Sequence, residues 1–393
     1  MNDLVLAKKI KNKFVQLYNE TPSMFRSPGR INLIGEHTDY NMGYVLPAAI
    51  DKVIYIAISP RKDLQCKIFA YDMNDFVECS IERIIQSDKH WANYLLGVID
   101  QLKKAGYKFN GFNCVFGGNI PIGAGLSSSA ALEAGLAFAL NQIYSLNIDS
   151  LSLVKMSQKA ENEFVGVNCG IMDQYINIFG KGGNVLRLDC RSLEREYFPF
   201  DFQNISIVLF DTNVSHSLAN SEYNQRRNEC SEGVKKIKEG YTQVKSLRDI
   251  SLDMLNEFQP KLTEVVFKRC KYVIEENDRL LKACDALSGH DLKTFGALMR
   301  KTHEGLSKDY EVSCKELDFL VELVKDNPKV YGSRMMGGGF GGCTINIIEK
   351  DAVEKISKEV QDKYKKYFGI EAKIYETQIS NGTNMVKVED ETL

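Results

Sequence analysis

Residues 118–133 read Gly118-Asn-Ile-Pro-Ile-Gly-Ala-Gly-Leu-Ser-Ser-Ser-Ala-Ala-Leu-Glu133. Gly123 and Gly125 let a backbone approach a ligand closely, and Ser127 to Ser129 open an Ala- and Leu-rich helix predicted to reach Ile143. The first N–H groups of such a helix lack intrahelical acceptors and, with the macrodipole, favour a phosphate. A hydroxyl there also reaches Mg2+, which prefers oxygen ligands. A plain N-cap after a tight turn needs only one serine. Three after Gly-Ala-Gly exceed that need and favour a phosphate site. The chain has no G-x-x-x-x-G-K-[ST] and neither H-R-D nor D-F-G. Gly337 to Gly342 matches G-x-G-x-x-G formally, but a β-branched strand follows it where a dinucleotide site needs a helix.

Outward from this stretch, the spacing predicts a strand at Phe112–Phe116 and a helix at Trp91–Lys104 before it. Helices at Leu151–Phe164 and from about Gly170 are predicted after it. An amphipathic helix is expected at residues 3–19, and strands and hairpins between Met24 and Pro60. Val185–Leu188 and Ile205–Phe210 read as strands, and Leu218 to about Asn327 as mainly helical, with Pro328 ending the run. Cys343–Ile348, a helix over 351–366 and a last strand at Ala372–Thr377 follow. The fold class is α+β in two closely packed domains, with a boundary near residues 195–215.

Two further segments carry chemistry. Ser27-Pro-Gly-Arg-Ile-Asn-Leu-Ile-Gly-Glu-His-Thr-Asp-Tyr-Asn41 places Arg30, Glu36, His37 and Asp39 close together. Buried carboxylates of this kind recognise polyols and reject analogues lacking a hydroxyl; a solvated surface turn fits the same residues. Glu161-Asn-Glu-Phe-Val-Gly-Val-Asn-Cys-Gly-Ile-Met-Asp-Gln174 puts Asp173 in the first turn of a helix beside Ile171 and Met172. Such a carboxylate is either a dipole partner or, in a cleft, a base. Glu161 is equally open.

Bulk properties narrow the partners. In 393 residues, 50 Lys and Arg face 52 Asp and Glu, a net charge of -2 that offers neither a nucleic-acid footprint nor a polybasic membrane patch. No stretch approaches the ~20 apolar residues of a membrane span. The ten cysteines include no C-x-x-C pair and read as reduced thiols. A cytoplasmic protein is expected.

Together the segments resemble the GHMP kinases (galactokinase, homoserine kinase, mevalonate kinase, phosphomevalonate kinase). Gly125-Leu-Ser-Ser-Ser-Ala130 is similar to the superfamily's phosphate loop, and Gly29-Arg-Ile-Asn-Leu-Ile-Gly-Glu-His-Thr-Asp-Tyr-Asn41 to the signature of its galactokinase branch. Trp91-Ala-Asn-Tyr94, Cys169-Gly-Ile-Met-Asp-Gln174, Tyr223-Asn-Gln-Arg-Arg-Asn-Glu-Cys230 and Arg334-Met-Met-Gly-Gly-Gly-Phe-Gly-Gly-Cys343 extend the match in family order. Met335 departs from the Thr more often seen in the last of these.

The resemblance implies the GHMP fold: an N-terminal domain over 1–200, a ferredoxin-like C-terminal domain over 201–393, and the active site in the cleft between them. It implies transfer of the γ-phosphoryl of ATP to the C1 hydroxyl of galactose, with Mg2+ as cofactor and galactose and ATP as the partners of a monomer. Asp173 matches the catalytic base and Arg30 its partner; Glu36, His37, Thr38, Asp39, Gly170 and Tyr223 match the sugar-holding positions. Gly123, Ala124, Gly125, Leu126, Ser127, Ser128 and Ser129 match the triphosphate loop, and Ser129 and Glu161 the Mg2+ ligands. Trp91 and Tyr94 fall at the adenine pocket, where core aromatics remain an alternative. An N-acetylgalactosamine kinase or another sugar-1-kinase is the neighbouring reading. A non-catalytic sugar sensor is disfavoured, because such relatives lose residues of the Ser-Ser-Ser-Ala loop that is intact here.

Overall fold

The computed structural model describes residues 3–121, 123–215 and 219–389. Leu218, where the helical stretch is expected to begin, and Ile122 of the phosphate segment lie outside the described residues. Helix α1 (Asp3–Tyr18) presents Leu6, Ile10 and Phe14, spaced one turn apart, to the sheet beside it. Strands β1 (Ser23–Asn32), β2 (Tyr44–Val45) and β3 (Pro47–Pro60) lead to the hairpin β4 (Gln65–Ala70) and β5 (Asp75–Ser80). Helix α2 (His90–Lys104) and β6 (Phe112–Gly118) precede helices α3 (Ser128–Ile143), α4 (Ser150–Lys159) and α5 (Met172–Phe179). After β7 (Asn184–Asp189), β8 (Arg195–Pro199) and β9 (Ile205–Ser215) comes the helical stretch: α6 (Ala219–Ile237), α7 (Leu252–Phe258), α8 (Glu264–Ser288), α9 (Leu292–Lys308) and α10 (Lys315–Val324). Strands β10 (Val330–Met335) and β11 (Gly341–Glu349), helix α11 (Val353–Phe368), and strands β12 (Lys373–Thr377) and β13 (Asn384–Val386) follow.

The strands form a six-stranded sheet ordered β13-β1-β3-β6-β4-β5, a four-stranded sheet ordered β10-β11-β9-β12, and a ribbon β2-β7-β8. Pairing is antiparallel except where β4 joins β6. Helix α3 lies unusually close to the first sheet because small residues line it. A Cβ on Gly135 would sit 2.8 Å from Ile56 Cδ1 and 2.9 Å from Ser27 Cβ. This approach brings the start of α3 alongside β1, which carries Arg30. Among the described residues no helix is long and apolar enough to cross a membrane.

The α+β mixture and most predicted elements are present, with informative differences. β4, β5, β8, β10 and β13 escape the pattern reading: β5 alternates without a fully buried face, and β13 is a three-residue edge strand. The single helix expected over Leu151–Phe164 is broken. α4 ends at Lys159, and residues Ala160–Val165 continue as a wider π-turn until Gly166, at φ 89°, stops it. Such turns re-aim side chains, here Glu161. Ser127 stays outside α3 in a left-handed conformation, φ 56°.

Helix α9 packs on β10 through glycine. A Cβ on Gly296 would lie 1.9 Å from the Tyr331 carbonyl oxygen, a rigid backbone atom. Gly296→Ala should therefore destabilise the protein by about 1–3 kcal/mol through overpacking. The expected readout is a lower urea midpoint at unchanged slope; an unaltered midpoint would refute the close approach.

Candidate active site

Strands β1 and β3 slip register between Pro28 and Arg30, and a bulge of this kind redirects the side chain that follows. The buried Arg30 guanidinium reaches Asp173 on the first turn of α5, with Nε 2.7 Å from Oδ1 and Nη2 2.9 Å from Oδ2. Its third nitrogen, Nη1, donates to the Gly125 carbonyl. Burial alone would lower the Arg30 pKa, but the Asp173 charge and hydrogen bonds overcome that and raise it. Ser127 Oγ also donates to Asp173 Oδ2. The left-handed turn at Ser127 thus points its hydroxyl at Asp173, and no side-chain cap of α3 is made.

Residues 35–44 form a loop held largely from α8, on the far side of the cleft. Gly35 N donates to Glu276 Oε1 (2.8 Å), Tyr272 OH to the Glu36 carbonyl (3.1 Å), and Tyr44 N to Asn277 Oδ1 (2.9 Å). Glu36 turns inward and accepts from Arg334 Nη2 (3.0 Å) and Gly337 N (2.9 Å). Both nitrogens of His37 are engaged, Nδ1 with Tyr40 OH (2.8 Å) and Nε2 with the Gly338 carbonyl (3.2 Å). Thr38 Oγ1 is spent on the Gly35 carbonyl (2.9 Å) and that of Tyr44. Asp39 differs. Its Oδ1 accepts from Tyr40 N (2.9 Å), while the carboxylate packs so tightly on Gly170 that a Cβ there would come within 1.6 Å of Oδ2. Burial, helped by the Asp173 charge, lifts the Asp39 carboxyl to about 6.

These groups converge on a cavity of about 250 Å3 lined by Arg30, Asp39, Gly170, Asp173, Tyr223 and Gly337–Gly339, among others. Glu36, His37 and Glu161 also reach its wall. The Tyr223 ring lies 5.4 Å, centroid to centroid, from both His37 and Tyr40. A second, more apolar cavity of about 580 Å3 is lined by Trp91, Tyr94, Phe116, Ser128, Ser129 and Leu132. Trp91 Nε1 donates to Asp75 Oδ2 at 3.1 Å, so the hairpin missed by the sequence pattern orients its indole. Between the cavities lies the loop Gly123–Ser127, with Gly123 and Gly125 at φ 79° and 74° and Ala124 and Leu126 buried beneath.

Glu161 is buried, and Gln174 Nε2 donates to its Oε2 at 2.6 Å and to Glu133 Oε2 at 3.2 Å. Burial raises the Glu161 pKa, and it raises that of Glu133 further, with the Glu161 charge adding to it. Most of the predicted residues are thus brought to one cleft, whereas Thr38 is fully buried and lines neither cavity. Glu133, Arg334 and the α8 side chains were not singled out from the sequence. Glu133 has a legible signal, one helical turn beyond Ser129; Arg334 is marked only by its place in the glycine-rich motif; Glu276 and Asn277 have none.

Three family models match the chain: the galactokinase galactose-binding signature over residues 12–60, the GHMP kinases N terminal domain over 93–181 and the GHMP kinases C terminal over 280–366. A galactokinase of Roseiflexus sp. is 40% identical over 96% of this chain and 97% of its own length. One of Fusobacterium nucleatum is 42% identical over 94% and 96%. Among solved structures, Lactococcus lactis galactokinase complexed with galactose superposes with a TM-score of 0.93 at 35% identity, covering 97% of this chain and all of that one. Methanococcus jannaschii mevalonate kinase, at 19% identity and a TM-score of 0.65, shares the fold. With its two GHMP regions, its sugar signature and full-length relatives of this closeness, the chain belongs to the galactokinase family of the GHMP kinases.

Proposed function

We propose that the protein transfers the γ-phosphoryl group of ATP to the C1 hydroxyl of galactose, giving galactose 1-phosphate and ADP. The observation that carries this reading is Arg30, whose guanidinium joins Asp173 to the Gly125 carbonyl at the junction of the two cavities. The smaller cavity takes the sugar, in keeping with the galactose-bound Lactococcus lactis relative. The larger takes the nucleotide, with Trp91 and Tyr94 against the adenine. Residues 1–200 and 201–393 are assigned to the two GHMP domains, with β13 of the second half returning to the first sheet. A monomer and the cytoplasm are the expected state and compartment.

Phosphoryl transfer asks mostly for positioning and charge neutralisation. Arg30 and Ser127 fix both oxygens of Asp173 and leave it able to take the C1 proton as the nucleophile attacks. Gly123–Ser129 cradle the phosphates through backbone N–H groups and the start of α3. Asp39, beside the cavity with a carboxylate oxygen toward Gly170, accepts from sugar hydroxyls, and Tyr223 covers the ring.

The donor chemistry near Glu161 fits a hard cation: Glu133 Oε1 and Gln174 Oε1 beside it are buried oxygens with no hydrogen-bond partner among the described residues. Ser129 and Glu161 would hold Mg2+, which when bound neutralises charge on the phosphate oxygens.

A coupled ADP-release assay should show turnover with galactose and little with mevalonate or homoserine; N-acetylgalactosamine measures how much room C2 has. Turnover of mevalonate or homoserine, with none of galactose, would overturn the assignment. Asp173→Asn should lower kcat by ~100-fold or more with the fold intact by circular dichroism. Arg30→Lys should also be costly, since an ammonium cannot make the planar bidentate pair. The double variant should lose less than the sum of the single losses in free energy. A folded Asp173→Asn enzyme with most of its activity would reduce Asp173 to a sugar ligand or dipole partner. Because Asp39 gains its proton near pH 6, acidification removes an acceptor, so the galactose KM should rise as pH falls through about 6. A galactose KM flat from pH 8 to 5 would show that Asp39 does not serve the sugar as a carboxylate.

A further inference from the structure

His37 sits at the cavity wall, but its ring is fully committed within the protein. The Gly338 carbonyl can only accept, so His37 Nε2, 3.2 Å away, must carry the proton. In the neutral imidazole Nδ1 is then an acceptor, and Tyr40 OH at 2.8 Å must donate to it. With its proton used, Tyr40 accepts from Tyr310 OH, also 2.8 Å away. Tyr310 in turn accepts from the Cys230 thiol at 3.2 Å. One backbone carbonyl therefore sets the direction of a chain that runs from α6 through the segment after α9 to the sugar loop. His37, Tyr310 and Cys230 are nearly or wholly inaccessible, at 5%, 0% and 1% exposure, and Tyr40 is half-buried, so three of the four links are closed to water. Burial also keeps the imidazole neutral, with its pKa lowered to about 4.

The far end of the chain is the glycine loop that lies against both substrate loops. Gly337 N is held by Glu36 Oε1 at 2.9 Å, the residue next to His37, and Phe340 N by the Val312 carbonyl at 2.8 Å. A Cβ on Gly125 of the phosphate loop would meet the Met336 carbonyl at 3.7 Å. Gly337–Gly339 adopt turns with φ near 84° at both outer residues and have no side chains to lock them in place. Their position depends on what holds their backbone.

We propose that Tyr310 and Tyr40 are positioning residues for the sugar site: through His37 they pin Gly338, and His37 acts as a strut for the glycine loop, with no ring nitrogen left for a sugar hydroxyl. This rests on the sugar site assigned above and adds Tyr310, which lies outside its sequence motifs, together with a role for Tyr40 inside one.

Tyr310→Phe and Tyr40→Phe keep the rings and remove single hydroxyls. Each should raise the galactose KM about fivefold or more, the scale of one buried hydrogen bond, with the ATP KM changed less than about twofold. Both cut the same chain, so the double variant should be no worse than the more affected single. Nitrogen-15 NMR of histidine-labelled protein, with His37→Gln to identify the signal, should report a pure Nε2–H tautomer in the parent and a loss of that purity in Tyr40→Phe. Thermal melts confirm folding, and if Tyr310→Phe fails to fold, Tyr40→Phe carries the test alone. An unchanged galactose KM in the folded variants, losses that add, or an Nδ1–H tautomer in the parent would overturn the proposal. Absence of any galactose turnover in the parent would instead sink the assigned reaction, and the tautomer measurement would still decide the relay.

Discussion

A guanidinium with no exposure to water holds the two sides of this protein together. Arg334, on β10 of the four-stranded sheet, donates through Nε to the Leu33 carbonyl at 2.9 Å, through Nη2 to the Asn32 carbonyl and the Glu36 carboxylate, and through Nη1 to the Met335 carbonyl. Burying such a group is costly unless its donors find acceptors and its charge a partner. Both conditions are met only when the segment leaving β1 lies against β10. The loop that bears Asp39 starts at that junction, and α8 then ties it at Gly35, Glu36 and Tyr44. The sugar loop therefore takes its shape from side chains more than two hundred residues away in sequence, and the cleft is a product of docking.

Carboxylates dominate the cleft. Glu133 and Glu161 are buried and Asp39 and Asp173 half-buried, and among the described residues only Asp173 of these four has a bidentate cationic partner. Like charges brought together out of water favour proton uptake, which is the direction seen for Asp39, Glu133 and Glu161. In the proposed reaction, sugar hydroxyls and a divalent cation would relieve this in different ways, by donating hydrogen bonds and by adding positive charge. Ligand binding would thus relieve a repulsion that the carboxylates build into the cleft.

Much of this was legible because the site is built from contiguous stretches. Gly123, Gly125 and the serines after them announce a phosphate loop through backbone chemistry alone, and the residues from Arg30 to Asn41 stay adjacent in space. Side-chain direction was not legible. Glu36, His37 and Thr38 sit in the sugar segment, but their polar atoms turn to Arg334, Gly338 and Gly35. The π-turn at Ala160–Val165 was invisible because its composition is that of the helix it interrupts. Glu276 and Asn277 look in sequence like the polar face of an amphipathic helix, and only tertiary packing buries them. β13 was missed since three residues at a sheet edge carry too little pattern to register.

That edge strand bears on how the molecule is made. Met24, Phe25 and Arg26 of β1 pair with Val386, Met385 and Asn384, so the outer edge of the strand bearing Arg30 stays open until a segment some 360 residues downstream has left the ribosome. At the usual ~5–20 residues per second this leaves an unpaired edge for roughly 20–70 s. An exposed strand edge is a template for other chains. Nascent copies on a shared message would therefore be most prone to misassociate late in translation, when most of the fold already exists and its first strand still lacks a neighbour.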